Sequence, residues 1–510
     1  PIAFIAAAVL SWTCMLKDVA VVCMLFLYLV LVAWLISDVY YIQSNITLFT
    51  MTEFHVWSLF TLTHSLQICN YLKLKGHKLG GIFKFRQPVL VLRDPEIIKA
   101  VIVKEFSSFQ DNDFHSNINI DPLLGRNPFV LRGNIWKESR SKLTPAFTNM
   151  RLKPVFPVVQ EVCSDLMEYL NESCKSGKEC LVEAKELSTK FTADSVANCA
   201  YGLKQNSFKN PDSEFRKYGR IFLEPTIWKG IEQGCVILAP RLADFLRFKF
   251  TPTEVIEFFR RTIKETVDYR KNNNVVRNDY LQLLIQLQDK AQDANKSDDK
   301  SIPWYKKFTD EDIAAQALTF FLDGYETSSS ALTVVLHNLA CYPAEQKNLQ
   351  EEVDSKIEEN DGKLTFDALQ TMSYLDMVLN ESLRMHPAVP YMNRLCTKPF
   401  EVPLSDGKTL KVEVGTPVVT PILGIHHDPE YYPDSRKFIP ERFTEENKAT
   451  RPKYTHFPFG EGPRICLGMR FAQMQIKALV STILSEYNIE KTENTRISDT
   501  YTDGLSICTI

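Results

Sequence analysis

Cys466 lies in the stretch FPFGEGPRICLGMRFA, Phe457 to Ala472, among three glycines and two arginines. The spacing predicts a glycine-rich loop running into a helix just after the cysteine. Backbone N–H groups at a helix N-terminus stabilise an anion, so a thiolate is favoured there. Gly462 and Gly468 would let the backbone approach a flat, bulky partner. Arg464 can reach an anionic group on that partner, and Phe459 can shield the sulfur from water. Such a thiolate suits a metal as much as it suits a nucleophile. The nucleophile needs a base, and His456 is the only local candidate, which makes it the weaker option. The plainest alternative is a buried structural cysteine.

A second chemical pair stands in FFLDGYETSSS, Phe320 to Ser330. Glu326 and Thr327 put an acid beside an alcohol. An acid–alcohol pair with water can relay protons to a bound group. Without such a task they read as a solvated glutamate and a core threonine. Thr327 can also bond back to a helix carbonyl and bend the helix. Gly324 inside a helix costs about 1 kcal/mol relative to alanine, so it needs a reason such as close approach to a cofactor. Glu381 and Arg384 are three apart and Trp136 and Arg140 four apart, so each pair shares a helix face.

These residues need elements to hold them. A long apolar helix is predicted from about Thr309 to Cys341, opened by the capping box TDED and closed before Pro343. Helices dominate from Trp136 to about Asn273 and again up to Met385. GGIFKFRQPVLVLRDP, Gly80 to Pro95, reads as one hairpin, and EVPLSDGKTLKVEV as another turning at Asp406-Gly407. Ala291 to Lys300 is a solvated connector. The fold class is mainly α with small β-sheets, without internal repeats.

The chain has 510 residues, a formal net charge of −3, 45% hydrophobic and 24% charged residues. That is globular composition with material for a large core. The near-neutral balance, without basic runs interleaved with aromatics, argues against nucleic acid as a partner. Twelve cysteines lack any CxxC pair or zinc spacing and read as reduced intracellular thiols.

Residues 1–18 form a short N-terminal segment. Val19 to Ile36 is an uncharged apolar run. At about 1.5 Å per residue it just spans a hydrocarbon core of roughly 30 Å. A cleaved signal peptide and a buried core helix are the rival readings, but a signal peptide's apolar region is usually shorter and no small-residue cleavage site follows. The run is therefore read as a transmembrane signal anchor. Residues 37–70 form a linker without a single proline, and residues 71–510 one large domain. Sequons occur at Asn45, Asn171, Asn295 and Asn380, and matter only on a lumenal chain.

The pattern Phe459-x-x-Gly462-x-Arg464-x-Cys466-x-Gly468 resembles the haem-binding signature of the cytochrome P-450 family. WKESR (Trp136, Arg140), DGYETS (Asp323 to Ser328), ESLR (Glu381, Arg384) and PERF (Pro440 to Phe443) follow the family's order and spacing. The resemblance runs from about Leu72 to the C-terminus. In texture it is most similar to insect microsomal members that handle xenobiotics.

The resemblance implies the cytochrome P-450 fold and haem b with Cys466 as axial thiolate, which pushes electron density onto iron and favours O–O cleavage. It implies that Trp136, Arg140, Arg394 and Arg464 meet the haem propionates. It makes Glu326-Thr327 the proton-delivery pair and groups Glu381, Arg384 and Arg442 as a structural triad. The implied activity inserts one oxygen atom into a lipophilic small molecule. Electrons would come from NADPH through a separate NADPH-cytochrome P-450 reductase, with cytochrome b5 as a further donor, since no dinucleotide fingerprint is present. The implied location is the endoplasmic reticulum membrane, with the catalytic domain facing the cytosol. The rivals are a haem-thiolate isomerase or dehydratase needing no electrons, and a non-catalytic haem protein. Substrate contacts would lie at Asp111 to Val130, Phe320 to Thr327, Val389 to Met392 including Pro390, and Leu505. Two departures stand out. The proline-rich hinge after the anchor is missing, and Asp323 replaces a small residue. Asp323 could bond a neighbouring segment, recognise a cationic or hydrogen-bonding substrate, or esterify a haem methyl as in the fatty-acid-hydroxylating branch.

Overall fold

The computed structural model describes residues 69–495, apart from 71, 74–75, 85–86, 175–179, 225, 295–303, 404–408 and 494, together with 507–509. The anchor run, nearly all of the linker, Asn45, Asn295 and Leu505 lie outside the described residues. Among the described residues no helix is long and apolar enough to cross a membrane.

The first hairpin pairs β1 (Leu79–Lys84) with β2 (Gln87–Leu92), Leu79 opposite Leu92. Five helices then matter for the site: α1 (Gly133–Leu143), α2 (Phe156–Ser173), α3 (Ala184–Tyr201), α4 (Tyr280–Ala294) and α5 (Asp310–Cys341). After α6 (Ser373–Met385) come β3 (Met392–Leu395), β4 (Phe400–Pro403), β5 (Thr409–Val412) and β6 (Pro417–Thr420). The last helix is α7 (Met469–Leu484). One sheet has the order β1-β2-β6-β3, with β2 and β6 parallel, and β4 and β5 form the second predicted hairpin.

Helix α5 organises the rest. Thr309 caps it: its N–H and hydroxyl both donate to Asp312, at 2.7 and 2.8 Å, and Asp310, Glu311 and Asp312 place negative charge on the first turn. Its 32 residues span about 48 Å at the usual rise. Leu318, Phe321, Leu332, Val335 and Leu339 are buried along it. Helix α3 packs against α5 and is buried on almost every side, so its sequence shows no amphipathic stripe. Phe321 and Tyr325 stack on one another at 5.0 Å, and Phe321 also meets Phe215 and Phe259. This aromatic core fixes the middle of α5, where the chemical residues sit.

One expectation about thiols is corrected. Cys174 at the end of α2 and Cys180 form a disulfide, their Cα atoms 4.9 Å apart. No CxxC-type spacing announces it, since the two cysteines lie six residues apart.

Candidate active site

The cysteine loop is shaped by two tight glycine turns. Gly460 and Gly462 have φ of 72° and 74°, values that favour glycine. The Cys466 N–H donates to the Phe459 carbonyl at 2.9 Å. A Cβ on Gly462 would lie 2.2 Å from the carbonyl oxygen of Ile102. The neighbouring backbone, not only a cofactor, therefore demands this glycine. Gly468 caps α7, and a Cβ there would make an ordinary contact with Phe147 at 3.9 Å.

Cys466 is solvent-accessible although protein encloses it on most sides. Burial raises its pKa above the ordinary thiol value, hydrogen bonding from the Gly468 N–H opposes this, Asp323 adds to the rise, and Arg140 opposes it. The helix N-terminus thus acts as expected, but desolvation outweighs it, and the thiolate needs a bound cation to persist. His456 offers no base. Its ring is buried, stacked on His426 at 5.2 Å and 3.3 Å from the Asn380 carbonyl, and burial pushes its pKa down to about 3.

Arginines crowd the same loop. Arg464 donates to the carbonyls of Gln110 (2.8 Å), Pro128 (3.0 Å) and Leu131 (2.9 Å), with Asp111 at 3.6 Å. Its guanidinium lies 4.1 Å from the centre of the Trp136 ring, a cation–π contact. Arg140 on α1 donates to the Ile465 carbonyl at 2.6 Å. Arg394, placed on β3 opposite Val418, donates to Asn112 at 2.7 Å, yet its buried Nε has no partner. Burial lowers Arg464 to about 9 and Arg394 to about 10, and lowers Arg140 too. Arg464 is pushed further by Arg394 and Arg140, and Asp111 opposes that. A buried positive cluster with an unanswered N–H calls for an anionic partner.

Across from the cysteine, α5 exposes Asp323 and Thr327, four residues apart and on one face. The Thr327 hydroxyl donates back to the Asp323 carbonyl. Although the residue is accessible, protein surrounds its carboxyl closely enough for desolvation to push it up to about 7, which the Asn127 side chain opposes. The expected acid–alcohol pair is divided. Glu326 turns toward α3, where Lys185 Nζ meets its carboxylate at 2.7 Å and also donates to Ser329 and Ser330 at 2.9 and 3.1 Å. Gly324 faces α3 as well: a Cβ there would lie 3.3 Å from Val196. Close helix packing therefore accounts for Gly324. Phe320 joins an aromatic stack with Phe147 (5.6 Å), Tyr280 (4.7 Å) and Phe471 (5.3 Å). Val389 is exposed and Pro390 half-buried; the Pro390 carbonyl accepts from the Leu423 N–H at 3.1 Å.

The triad residues meet away from the cysteine loop. Arg384 makes two bonds to Glu381 (2.7 and 2.8 Å), both fully buried, and Arg442 Nε stands 3.4 Å from Glu381.

Sequence reasoning missed Lys185, which carries no local signal because it meets α5 from far along the chain.

Among the described residues, no three His, Cys, Asp or Glu side chains converge to hold an ion. A metal at Cys466 would take its other donors from a cofactor. An accessible sulfur, glycine turns and an under-neutralised arginine cluster fit a haem with its carboxylates.

The cytochrome P-450 family model matches residues 53–509. Cytochrome P-450 9e2 of Blattella germanica is 41% identical over 453 residues, covering 85% of this chain and 84% of that protein. Cytochrome P-450 6k1 of the same species is 36% identical over 425 residues (82% and 80%). A probable cytochrome P-450 6a13 of Drosophila melanogaster is 38% identical over 431 residues (84% and 83%).

Proposed function

The chain belongs to the cytochrome P-450 family and is a haem-thiolate monooxygenase resembling insect xenobiotic-metabolising members; from that premise, we propose that it oxidises lipophilic small molecules with Cys466 as the iron ligand, haem b as the cofactor and NADPH-derived electrons from a membrane reductase. One oxygen atom enters a substrate C–H bond and the other leaves as water, consuming two electrons and two protons. The observation that carries the reading is Cys466, accessible beside the N-terminus of α7 and near α5.

Haem, when bound, supplies dioxygen reduction and oxygen transfer. Cys466 contributes the thiolate, steadied by the Gly468 and Met469 N–H groups. Arg140, Arg394 and Arg464 answer the cofactor's carboxylates, and Trp136 braces Arg464. The Thr327 hydroxyl donates its proton to the Asp323 carbonyl and offers its lone pairs on the site side of α5, so it accepts a hydrogen bond there and relays a proton only on turning away from that carbonyl. Glu326, ion-paired with Lys185 on the α3 side, would join a proton path only by leaving that pair. This arrangement favours proton-consuming chemistry over an isomerase or dehydratase. The apolar run Val19 to Ile36 supports an anchor in the endoplasmic reticulum, with cytochrome b5 as an auxiliary donor.

The test is the reduced protein under carbon monoxide. A strongly red-shifted Soret band is expected, and Cys466→Ala should abolish it together with NADPH-dependent product. The same band in Cys466→Ala would assign the iron to another residue.

A further inference from the structure

Residues 110–131 form a loop that joins the cysteine loop to the start of α5. At its root Arg464, two residues before Cys466, holds the carbonyls of Gln110, Pro128 and Leu131. Its middle is folded tightly on itself. A Cβ on Gly125 would lie 2.7 Å from the Ile118 Cα, so the two arms of the loop touch backbone to backbone. The buried Asp121 braces this unit, accepting from the Leu124 N–H at 3.2 Å and from the Thr251 N–H at 2.8 Å.

Arg126 fixes the folded unit to α5. Its Nε donates to Asp312 at 3.0 Å, and its Nη1 donates to the Pro122 carbonyl of its own loop at 2.8 Å. The ion pair is well enclosed, with side-chain exposures of 17% for Arg126 and 9% for Asp312. Asp312 is divided between two tasks: Oδ2 caps α5 through Thr309, and Oδ1 takes Arg126. One turn further on, the buried Gln316 donates to the Arg126 carbonyl at 3.0 Å. Asp312, Gln316, Phe320, Asp323 and Thr327 follow one another three or four residues apart, so they share one face of α5. The face that receives the loop is therefore the face that carries Asp323 and Thr327, about 10 and 16 Å beyond Gln316 at the usual helical rise. The loop, rooted beside Cys466, and this face of α5 are two walls that meet at Arg126.

We propose that Arg126 is a positioning residue that fixes the register of the loop on α5, sets the depth of the substrate space, and so decides which lengths of lipophilic molecule the monooxygenase accepts. The proposal rests on the monooxygenase reading of the site. A guanidinium suits the task because its planar fork reaches Pro122 and Asp312 at once, whereas an ammonium is a single point of charge. Loosening this corner adds room at the end of the space remote from iron. The iron end is spared, because Arg464 holds the root of the loop independently.

The experiment measures the affinity of the purified holoprotein for imidazole and for 1-butyl-, 1-hexyl- and 1-dodecylimidazole, by the shift of the haem band. The ring nitrogen ligates iron and the chain probes the depth of the space. In the wild type, affinity should rise with chain length and then stop rising once the chain meets the wall. Arg126→Met should extend the rise, improving dodecyl over hexyl by about fivefold or more, while affinity for imidazole itself stays within about twofold. Arg126→Lys keeps a charge for Asp312 but cannot bridge to Pro122 as well, and should fall between. Gln316→Leu breaks the second tie and should move the ratio in the same direction. It replaces Arg126→Met as the deciding variant if that protein folds poorly. An unchanged or lowered dodecyl-to-hexyl ratio in the deciding variant, or an equal change for imidazole itself, would overturn the proposal. The carbon monoxide spectrum of the same preparations is read separately. A normal thiolate band with an unchanged ratio rejects the positioning role alone, whereas a missing band in the wild type rejects the haem-thiolate reading itself.

Discussion

Two buried charge clusters in this protein are built on opposite plans. Around Glu381 the charges answer one another. Arg384 clasps the carboxylate with two bonds, Arg442 approaches at 3.4 Å, the Ile439 N–H donates at 3.0 Å, and Arg384 also reaches the His426 carbonyl at 2.9 Å. Around Cys466 they do not. Arg394 bonds Asn112, the Asn393 carbonyl and Met392 but, like Asp323, enters no ion pair among the described residues, and Cys466 is accessible. Burying an unpaired charge costs several kcal/mol, so a protein tolerates it only where something else completes the pair. The first cluster is scaffold, and the second is a receptor for groups the chain itself does not supply.

The largest effect is expected from breaking the closed cluster. Glu381→Ala leaves Arg384 buried without its carboxylate, at a cost of about 3–5 kcal/mol. That approaches the whole stability of an ordinary domain. Little folded, haem-loaded protein should be recovered, as measured by the carbon monoxide spectrum per milligram. Normal recovery would place the stabilisation elsewhere.

Opening the other cluster further should spare the fold. Arg394→Gln removes a charge that burial already disfavours, and glutamine can still reach Asn112. Folded yield should stay near wild type. The lost charge-assisted bonds to the cofactor's carboxylates should speed haem transfer to apomyoglobin by about ten- to a hundredfold. If yield falls as in Glu381→Ala while haem retention is unchanged, the two clusters do not differ in the way argued here.

The same contrast explains what could be seen in the sequence. The closed cluster was half legible, since Glu381 and Arg384 are three apart on one helix, and the PERF resemblance brought Arg442. The long helix was legible too, because Thr309 and Asp312 announce its start locally. The open site was legible as a list of residue types but not as a geometry. Glu326 meets Lys185 across 141 positions, and Arg464 spends its donors on carbonyls more than 300 residues away. The reasons for Gly462 and Gly324 were also hidden, because Ile102 and Val196 approach from other segments. Local rules capture caps and face pairs, while long-range partners follow from packing that no spacing encodes.

The smallest effect concerns protons, and it separates the clusters by sign. His427, close to the closed cluster, is held down to about 4, chiefly by burial, although its bond to the Met385 carbonyl at 2.8 Å and Arg384 also act on it. The folded state therefore keeps this ring neutral to about pH 4, while the unfolded chain protonates it near 6.5. Between those values the unfolded state binds more protons, so stability falls as pH falls, by at most about 1.4 kcal/mol per pH unit for one group. His427→Gln keeps a donor for Met385 and removes the titration. Its unfolding midpoint should match wild type near pH 7.5 and decline less steeply between pH 6.5 and 4.5. Asp323 works in the other direction. Its carboxyl is raised from 3.8 to about 7, so the folded state binds more protons in that interval and gains stability as pH falls. Asp323→Asn should therefore steepen the acid decline that His427→Gln flattens. Thermal unfolding from pH 7.5 to 4.5 on both variants measures the difference, and two curves parallel to wild type would show that neither group is perturbed by its burial.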